Sequence, residues 1–107
     1  MDETTRSRCQ AQAGILKALA HPTRLFIVEE LGRGERCVCE LQEMIGADIS
    51  TVSKHLTQLK NAGVVQDDKR GAQVFYTLRA TCVPGFLGCI QNILKDNAER
   101  QLRCVRL

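Results

Sequence analysis

Three segments in the first half of the chain carry apolar residues at helical spacing. The first lies within residues 8–20, and the second begins at Pro22, because proline is tolerated at the first helical position. A third, short helix is predicted over residues 38–45, before Gly46 breaks the pattern. The predicted inward-facing residues of the three helices are Ala11, Ile15, Leu16, Leu19, Leu25, Val28, Leu31, Val38, Leu41 and Ile45, and Phe26 and Ile27 widen the stripe of the second helix.

Residues 48–63 form the fourth segment, and its two faces differ sharply. Val52, Leu56 and Leu59 recur at helical spacing and predict one buried stripe. Asp48 or Ser50 can cap the start of the helix, and Gly63 can close its end. The opposite face carries hydroxyl, amide and cationic groups of the kind that read a DNA major groove, although a merely solvated face is the alternative. These DNA-facing candidates are Ser50, Thr51, Ser53, Lys54, His55 and Gln58.

After this helix the apolar pattern changes from helical to alternating. Val65 lies on one arm and Tyr76 on the other. Residues 67–71, four charged residues and a glycine, join them, which predicts a β-hairpin over residues 64–79. A hairpin directly after a DNA-reading helix is a wing, and its cations can reach DNA; an ordinary solvated turn is the alternative. The cations that we expect at DNA phosphates are Lys60, Lys69 and Arg70.

A long last helix is predicted over residues 84–103. Phe86, Ile90 and Ile93 lie roughly on one side of it, and a chain of 107 residues has little core of its own to cover them. We therefore expect this helix and the helix of residues 8–20 to pair two copies, with packing inside one chain as the alternative. Such a dimer places two DNA-reading heads at the half-site spacing of a palindromic operator.

Together these elements predict an α+β fold that is mainly α. We expect one domain over residues 1–107, built as a winged helix-turn-helix. The helix-turn-helix occupies residues 38–63, the two-stranded wing residues 64–79, and the terminal helices form the dimer.

Composition adds a cellular setting and one chemical question. Fifteen Lys and Arg against twelve Asp and Glu give a formal charge of +3, which suits a nucleic-acid partner without requiring one. No apolar run approaches the length of a membrane span, and the N-terminus lacks the apolar region of a signal peptide, so we expect a soluble, cytoplasmic protein with no membrane partner. For such a protein, metal binding or thiol sensing explains six cysteines better than a disulfide framework does.

Cys37 and Cys39 lie at the start of the third helix, immediately before the DNA-reading helix. Two thiols at i and i+2 of a regular helix point about 200° apart, so they can share one ion only if the first turn is distorted. Capture of an ion there would change the geometry of the helix that supports the DNA reader. The pair is therefore a candidate sensor.

Several segments in the same order resemble the ArsR/SmtB metalloregulatory repressors, over roughly residues 14–95. They are Pro22-Thr23-Arg24, Cys37-Val38-Cys39-Glu40-Leu41, Ser50-Thr51-Val52-Ser53-Lys54-His55-Leu56, Leu59-Lys60-Asn61-Ala62-Gly63 and Gly71-Ala72-Gln73-Val74-Phe75-Tyr76-Thr77-Leu78. The resemblance implies a winged-helix homodimer that represses its own operon. It also implies release from DNA when a toxic metal or metalloid binds.

Within that family, a Cys-Val-Cys pair at this place looks like a site for arsenite or antimonite, or alternatively for cadmium or lead. The best-known arsenite sensors add a third thiol three residues after the second cysteine, where this chain has Gln42. Three thiolates suit trivalent arsenic, a soft and thiophilic ion. In relatives that bind cadmium or lead, thiols of the partner's N-terminal segment complete the site. The resemblance thus makes Cys9 the first candidate for the third ligand, with Cys104 or no third thiol as alternatives.

Two further cysteines, Cys82 and Cys89, lie seven residues apart near the start of the last helix and could form a second site. Burial of Cys89 beside Phe86 and Ile93 is the alternative. The zinc and nickel sensors of the family use His and carboxylates on the last helix. The only histidines, His21 and His55, lie elsewhere, which argues against that class.

Three other functions compete with a metal-responsive repressor. An arsenate reductase of the phosphatase-like kind needs a cysteine followed six residues later by arginine, and none of the six cysteines has one, so we expect no enzyme. A structural zinc module is disfavoured, because Cys-x-Cys is not its usual ligand spacing. A redox-responsive repressor on the same scaffold remains an open alternative.

Overall fold

The computed structural model describes residues 1–106, which form a winged helix-turn-helix, as predicted. In chain order the elements are α1 (Glu3–Leu19), α2 (Pro22–Arg33), β1 (Arg36–Cys37), α3 (Val38–Ile45), α4 (Ile49–Asn61), β2 (Val65–Arg70), β3 (Gln73–Leu78) and α5 (Val83–Arg106). The third helix has the predicted bounds. The strand β1 is not predicted by the sequence pattern.

The core lies where α2, α3 and α4 meet the sheet. The predicted stripe of α4, Val52, Leu56 and Leu59, is fully buried. From α2 the fully buried residues are Ile27 and Val28, whereas the predicted Leu25 is only partly buried. Burial of these aliphatic groups is the main force that holds α4 in place, and it leaves the polar face of α4 outward.

The turn between α3 and α4 is held by local hydrogen bonds. Gly46 ends α3 with φ of 77°, a left-handed conformation that glycine adopts without a steric penalty. Asp48 then caps α4, because its Oδ1 accepts the Thr51 N–H at 2.7 Å. The pKa of Asp48 lies below its usual range because the carboxylate accepts this bond. These two ends fix a short connection between the helices.

The wing is one part of a three-stranded antiparallel sheet with the order β1-β3-β2. Its hairpin differs from the prediction, because the charged residues 67–70 lie in β2 and not in the tip. Pairing runs without a break from Val65↔Leu78 to Arg70↔Gln73, and exposed strand positions accept charged side chains. The chain reverses only at Gly71, whose φ of 61° suits the first position of a two-residue hairpin turn.

The terminal helices are longer than predicted. The first begins at Glu3 and not at residue 8, because the Asp2 carboxylate accepts the Thr5 N–H at 2.8 Å and caps it. The last begins at Val83 and continues beyond residue 103 to Arg106. Both present apolar side chains to solvent in the protomer, and Ile93 is 55% exposed. No helix within residues 1–106 combines the length and apolarity that crossing a membrane would need.

Candidate DNA interface and thiol site

The outward face of α4 carries most of the predicted DNA-facing side chains. Five of them are exposed: Ser50, Thr51, Ser53, Lys54 and Gln58. They lie opposite the buried stripe, so one helix face anchors the fold while the other is free for a partner. Among the residues that the structure describes, no carboxylate lies within 4.0 Å of the Lys54 ammonium.

His55 lies at the edge of this face, partly buried against the start of α2. Its ring centroid is 4.3 Å from that of His21, with the rings tilted by 43°. His21 caps α2, since its Nδ1 accepts the Thr23 N–H at 3.1 Å. Burial lowers the pKa of His55, and the neighbouring charges of His21 and Arg24 lower it further. His55 therefore packs α4 on α2 in surroundings that favour the neutral imidazole.

Two of the predicted phosphate-binding cations are engaged in ion pairs. Lys60 Nζ lies 3.0 Å from an Asp67 oxygen, and this hydrogen bond raises the pKa of Lys60. Arg70 donates to both carboxylate oxygens of Glu35, at 2.7 and 2.8 Å, and to Asp68 at 2.9 Å. The pKa of Arg70 is raised by these bonds, that to Glu35 first.

Lys69, the third predicted cation, lies in β2 and is exposed. No ion pair joins it to any residue in the range 1–106. Of the three cations predicted at DNA phosphates, it is therefore the one whose charge remains unneutralised by a near neighbour.

The candidate sensor begins with a cysteine that lies outside the helix. Cys37 is the last residue of β1 and the N-cap of α3, with φ of −80° and ψ of 160°. Its Sγ accepts the Glu40 N–H at 3.4 Å, and Glu40 Oε1 accepts the Cys37 N–H at 3.1 Å. This last bond lowers the pKa of Glu40. Because Cys37 is extended, the opposition of two thiols on a regular helix does not apply.

The surroundings of Cys37 and Cys39 do not bring a third metal-ligating group to the pair within residues 1–106. Cys37 is buried and Cys39 is exposed beside it. Within residues 1–106, no group of three or more Cys, His, Asp or Glu is placed to hold a metal ion. A site for three thiolates thus needs a ligand from outside the protomer's own Cys37-Val38-Cys39 segment and its surroundings.

The other four cysteines are also free thiols, and all are exposed: Cys9, Cys82, Cys89 and Cys104. Cys89 is exposed in the protomer, as are Phe86 and Ile93 on the same helix, so packing inside one protomer does not bury it. Cys9 lies on α1, whose side chains up to Lys17 are nearly all exposed.

Sequence reasoning missed two acidic residues of this site. Glu40 completes a capping box with Cys37. The sequence signal for a capping box is a cap residue followed three residues later by Glu. It was missed because the cap residue of this motif is normally Ser or Thr and not Cys. Glu35 binds Arg70 from 35 positions away, and no local pattern could reveal it.

Comparisons with known proteins agree with this architecture. The model of bacterial regulatory proteins of the arsR family matches residues 21–67. The transcriptional regulator NmtR of Mycobacterium tuberculosis is 42% identical over 82 residues, 76% of this chain and 68% of NmtR. The cadmium resistance regulatory protein CadC of Listeria innocua is 40% identical over 68 residues, 63% of this chain and 57% of CadC.

Among solved structures, the homodimeric winged helix-turn-helix DNA-binding domain of a possible ArsR-family regulator from Mycobacterium bovis matches with a TM-score of 0.78. The two chains are 26% identical, and the match covers 94% of this chain and 93% of that one. The order of elements, the sequence identity and the family model agree, and this chain belongs to the ArsR family of bacterial transcriptional regulators.

Proposed function

We propose that this protein is a homodimeric transcriptional repressor whose operator complex is released when arsenite or antimonite binds to cysteine thiolates. The observation that carries the proposal is the position of Cys37. This one residue ends β1, which pairs with the wing, and caps α3, which packs against α4. A ligand on its sulfur therefore acts at the junction of both DNA-contacting elements.

The homodimer is supported by apolar surface on the terminal helices. Ile15 and Leu16 of α1 are 46% and 48% exposed, and Leu94 of α5 is 57% exposed. Two copies related by a two-fold axis would bury these faces against each other and pair the two DNA-reading helices. The similar domain from Mycobacterium bovis is itself described as homodimeric.

For DNA, we propose that the exposed polar face of α4 enters the major groove. Its first turns present hydroxyl groups, which donate to and accept from base edges, and Lys54 and Lys69 lie free to contact phosphates. His55 supports the helix from its edge, and Lys60 is oriented by Asp67.

For the inducer, we propose that Cys37 and Cys39 supply two thiolates and Cys9 of the partner subunit supplies the third. Trivalent arsenic and antimony are soft ions that bind thiolates in preference to nitrogen and oxygen donors. The exposed α1 projects Cys9 away from its own core. The Cys37 sulfur that accepts the Glu40 N–H is the same sulfur that would bind the ion, so capture competes with the cap of α3.

Cadmium or lead is the second candidate signal. It is favoured by the absence of a thiol at Gln42 and by similarity to CadC, which is named for cadmium resistance. Both ions are soft enough for thiolate ligands, so the fold and the sensor residues of the proposal stay the same.

The test is fluorescence anisotropy of the reduced homodimer on its own promoter DNA, titrated with arsenite, antimonite, cadmium and zinc. Release by arsenite at lower concentration than by cadmium supports the proposed inducer, and the reverse order moves it to cadmium. If no ion releases DNA but an oxidant does, reversibly with dithiothreitol, the thiols sense redox state. Loss of the response in Cys9→Ser, tested in the same way, would assign the third ligand.

A further inference from the structure

Three of the five N–H groups of the Arg70 guanidinium donate to carboxylates within the protomer. Two of its nitrogens donate to the two oxygens of Glu35 at 2.7 and 2.8 Å, and its Nε donates to Asp68 at 2.9 Å. Its Cζ also lies 4.5 Å from the centre of the Phe75 ring. The fork-to-carboxylate geometry is the strongest and most directional that arginine makes. A phosphate could engage this face only by displacing Glu35.

Glu35 belongs to the short segment that leads into the thiol site. It lies two residues before Cys37, and the side chains of this segment contact several elements. Glu35 binds the wing through Arg70. Arg36 lies 3.7 Å from Glu30 of α2 and 3.4 Å from Glu40 of α3. Residues 35–37 therefore join α2, α3 and the wing.

Backbone pairing and side-chain contacts connect Cys37 and Glu35 to the same part of the wing. In the β1–β3 pair, Cys37 lies opposite Phe75, whose ring is covered by the Arg70 guanidinium. Arg70 binds Glu35, and Glu35 is connected to Cys37 along the backbone through Arg36. The Glu35–Arg70 pair therefore lies across the same β1–β3 junction as Cys37, and we expect a shift of Cys37 relative to β3 to change its geometry.

We propose that Glu35 and Arg70 are positioning residues that hold the wing in its DNA-binding orientation and transmit ligand capture at Cys37 to the wing. Arg70 acts through the hairpin and not as a phosphate contact. The transmission half rests on the function proposed above, whereas the positioning half stands on the ion pair alone. An isolated exposed ion pair contributes little, but this one combines two carboxylates with an aromatic face in one network.

A double-mutant cycle tests the positioning half. Glu35→Gln, Arg70→Gln and the double variant are compared with the unmodified homodimer on promoter DNA over a range of salt concentrations. We expect each single change to weaken binding about three- to tenfold and the double change to be no worse than Arg70→Gln, because both remove one contact. We expect the slope of log K against log salt to stay unchanged, since no phosphate contact is lost.

Two controls separate geometry from charge. Glu43→Gln makes the same change in charge as Glu35→Gln at an exposed glutamate of α3 that forms no ion pair with residues 1–106, and we expect no loss of affinity. Arg70→Lys keeps the charge but cannot form the fork, and we expect it to behave like Arg70→Gln.

Other results overturn the positioning half. A salt slope lower by about one in Arg70→Gln, with tighter binding in Glu35→Gln, would make Arg70 a phosphate contact that Glu35 restrains. Additive losses in the double variant, or full affinity in Arg70→Lys, would also contradict it.

The transmission half is tested by the ratio of DNA Kd with and without saturating arsenite or cadmium. We expect the ratio to be at least about threefold smaller in Glu35→Gln than in the unmodified protein, while thiolate absorbance shows the site equally loaded. An unchanged ratio overturns transmission. If neither ion releases the unmodified protein, the function proposed above fails, and the salt-dependent cycle still decides the positioning half.

Discussion

Cys37 and Glu40 cap each other: the sulfur accepts the Glu40 N–H at 3.4 Å, and the carboxylate accepts the Cys37 N–H at 3.1 Å. Cys37 is thus both the last residue of β1, which pairs with the wing, and the N-cap of α3, the first helix of the helix-turn-helix. Sulfur that donates a lone pair to a soft ion becomes a weaker acceptor for that N–H. Under the proposed function, ion capture and the start of α3 are therefore coupled at the Cys37 sulfur.

Replacement of Cys37 by serine should separate sensing from folding. Serine is a preferred N-cap, so we expect DNA affinity within about threefold of the unmodified protein. Release by arsenite should be lost, since a hydroxyl does not hold a soft ion. Anisotropy on promoter DNA with and without arsenite measures both properties. Cys82→Ser is the matched control, and normal release from Cys37→Ser would contradict the assignment.

Replacement of Cys37 by alanine should destabilise the protein, because alanine cannot accept the Glu40 N–H. Loss of an N-cap costs about 0.5–2 kcal/mol, and the long sulfur contact places this one toward the lower end. Urea unfolding at one fixed protein concentration gives the free energy of unfolding, with Cys37→Ser as the reference. Equal stability of the two variants would show that the cap contributes nothing.

Replacement of Lys54 by glutamine should weaken binding to every DNA sequence and reduce the salt slope by about 0.9, as expected for one lost phosphate contact. The measurement is Kd on promoter and unrelated duplexes over a range of salt. Lys95→Gln, the same change on α5, should leave both quantities as they are. A Lys54→Gln variant that keeps the original slope would show that this lysine does not contact phosphate.

Stability should fall as the pH falls below about 6.5, the ordinary pKa of histidine, through the contribution of His55. Its pKa in the folded protein is lowered by burial first, and then by the charges of His21 and Arg24. Between the lowered pKa of the folded protein and about 6.5, His55 is therefore protonated in the unfolded chain and neutral in the folded one. Urea unfolding between about pH 5 and 7 measures the effect, and His55→Gln should have a shallower pH dependence. An identical dependence in both proteins would exclude His55 as its source.

Replacement of Ile93 by glutamate should dissociate the proposed dimer. Ile93 is 55% exposed on the apolar face of α5, and a charge there would be buried between two copies without a partner. We expect monomers in sedimentation analysis and a loss of DNA affinity of more than about tenfold, because two linked half-site contacts become one. Asn92→Glu places the same charge on the adjacent, polar position. Dimers in the Ile93→Glu protein would locate the interface elsewhere.

Local patterns were sufficient for the two helices of the helix-turn-helix and for the surface that α4 presents. The spacing of Val52, Leu56 and Leu59 determined which face of α4 is buried, and hence which face is free for DNA. Asp48 and Gly46 determined where the helices of the helix-turn-helix begin and end. Such features depend on residues within a few positions of each other, so they can be derived from sequence alone. The sequence alone was therefore enough to predict the helix-turn-helix and to place the Cys37-Val38-Cys39 segment at the start of its first helix.

Only the tertiary structure decided how the sensor and the wing are connected. A strand of two residues has no periodicity to detect, and β1 exists only because β3 lies beside it. The Glu35–Arg70 ion pair and the His21–His55 contact join residues that are 35 and 34 positions apart. Charged side chains at Arg70 and Lys60 look alike in sequence whether they face phosphate or a carboxylate. Their partners are set by how the packed elements orient them, which is a property of the whole fold.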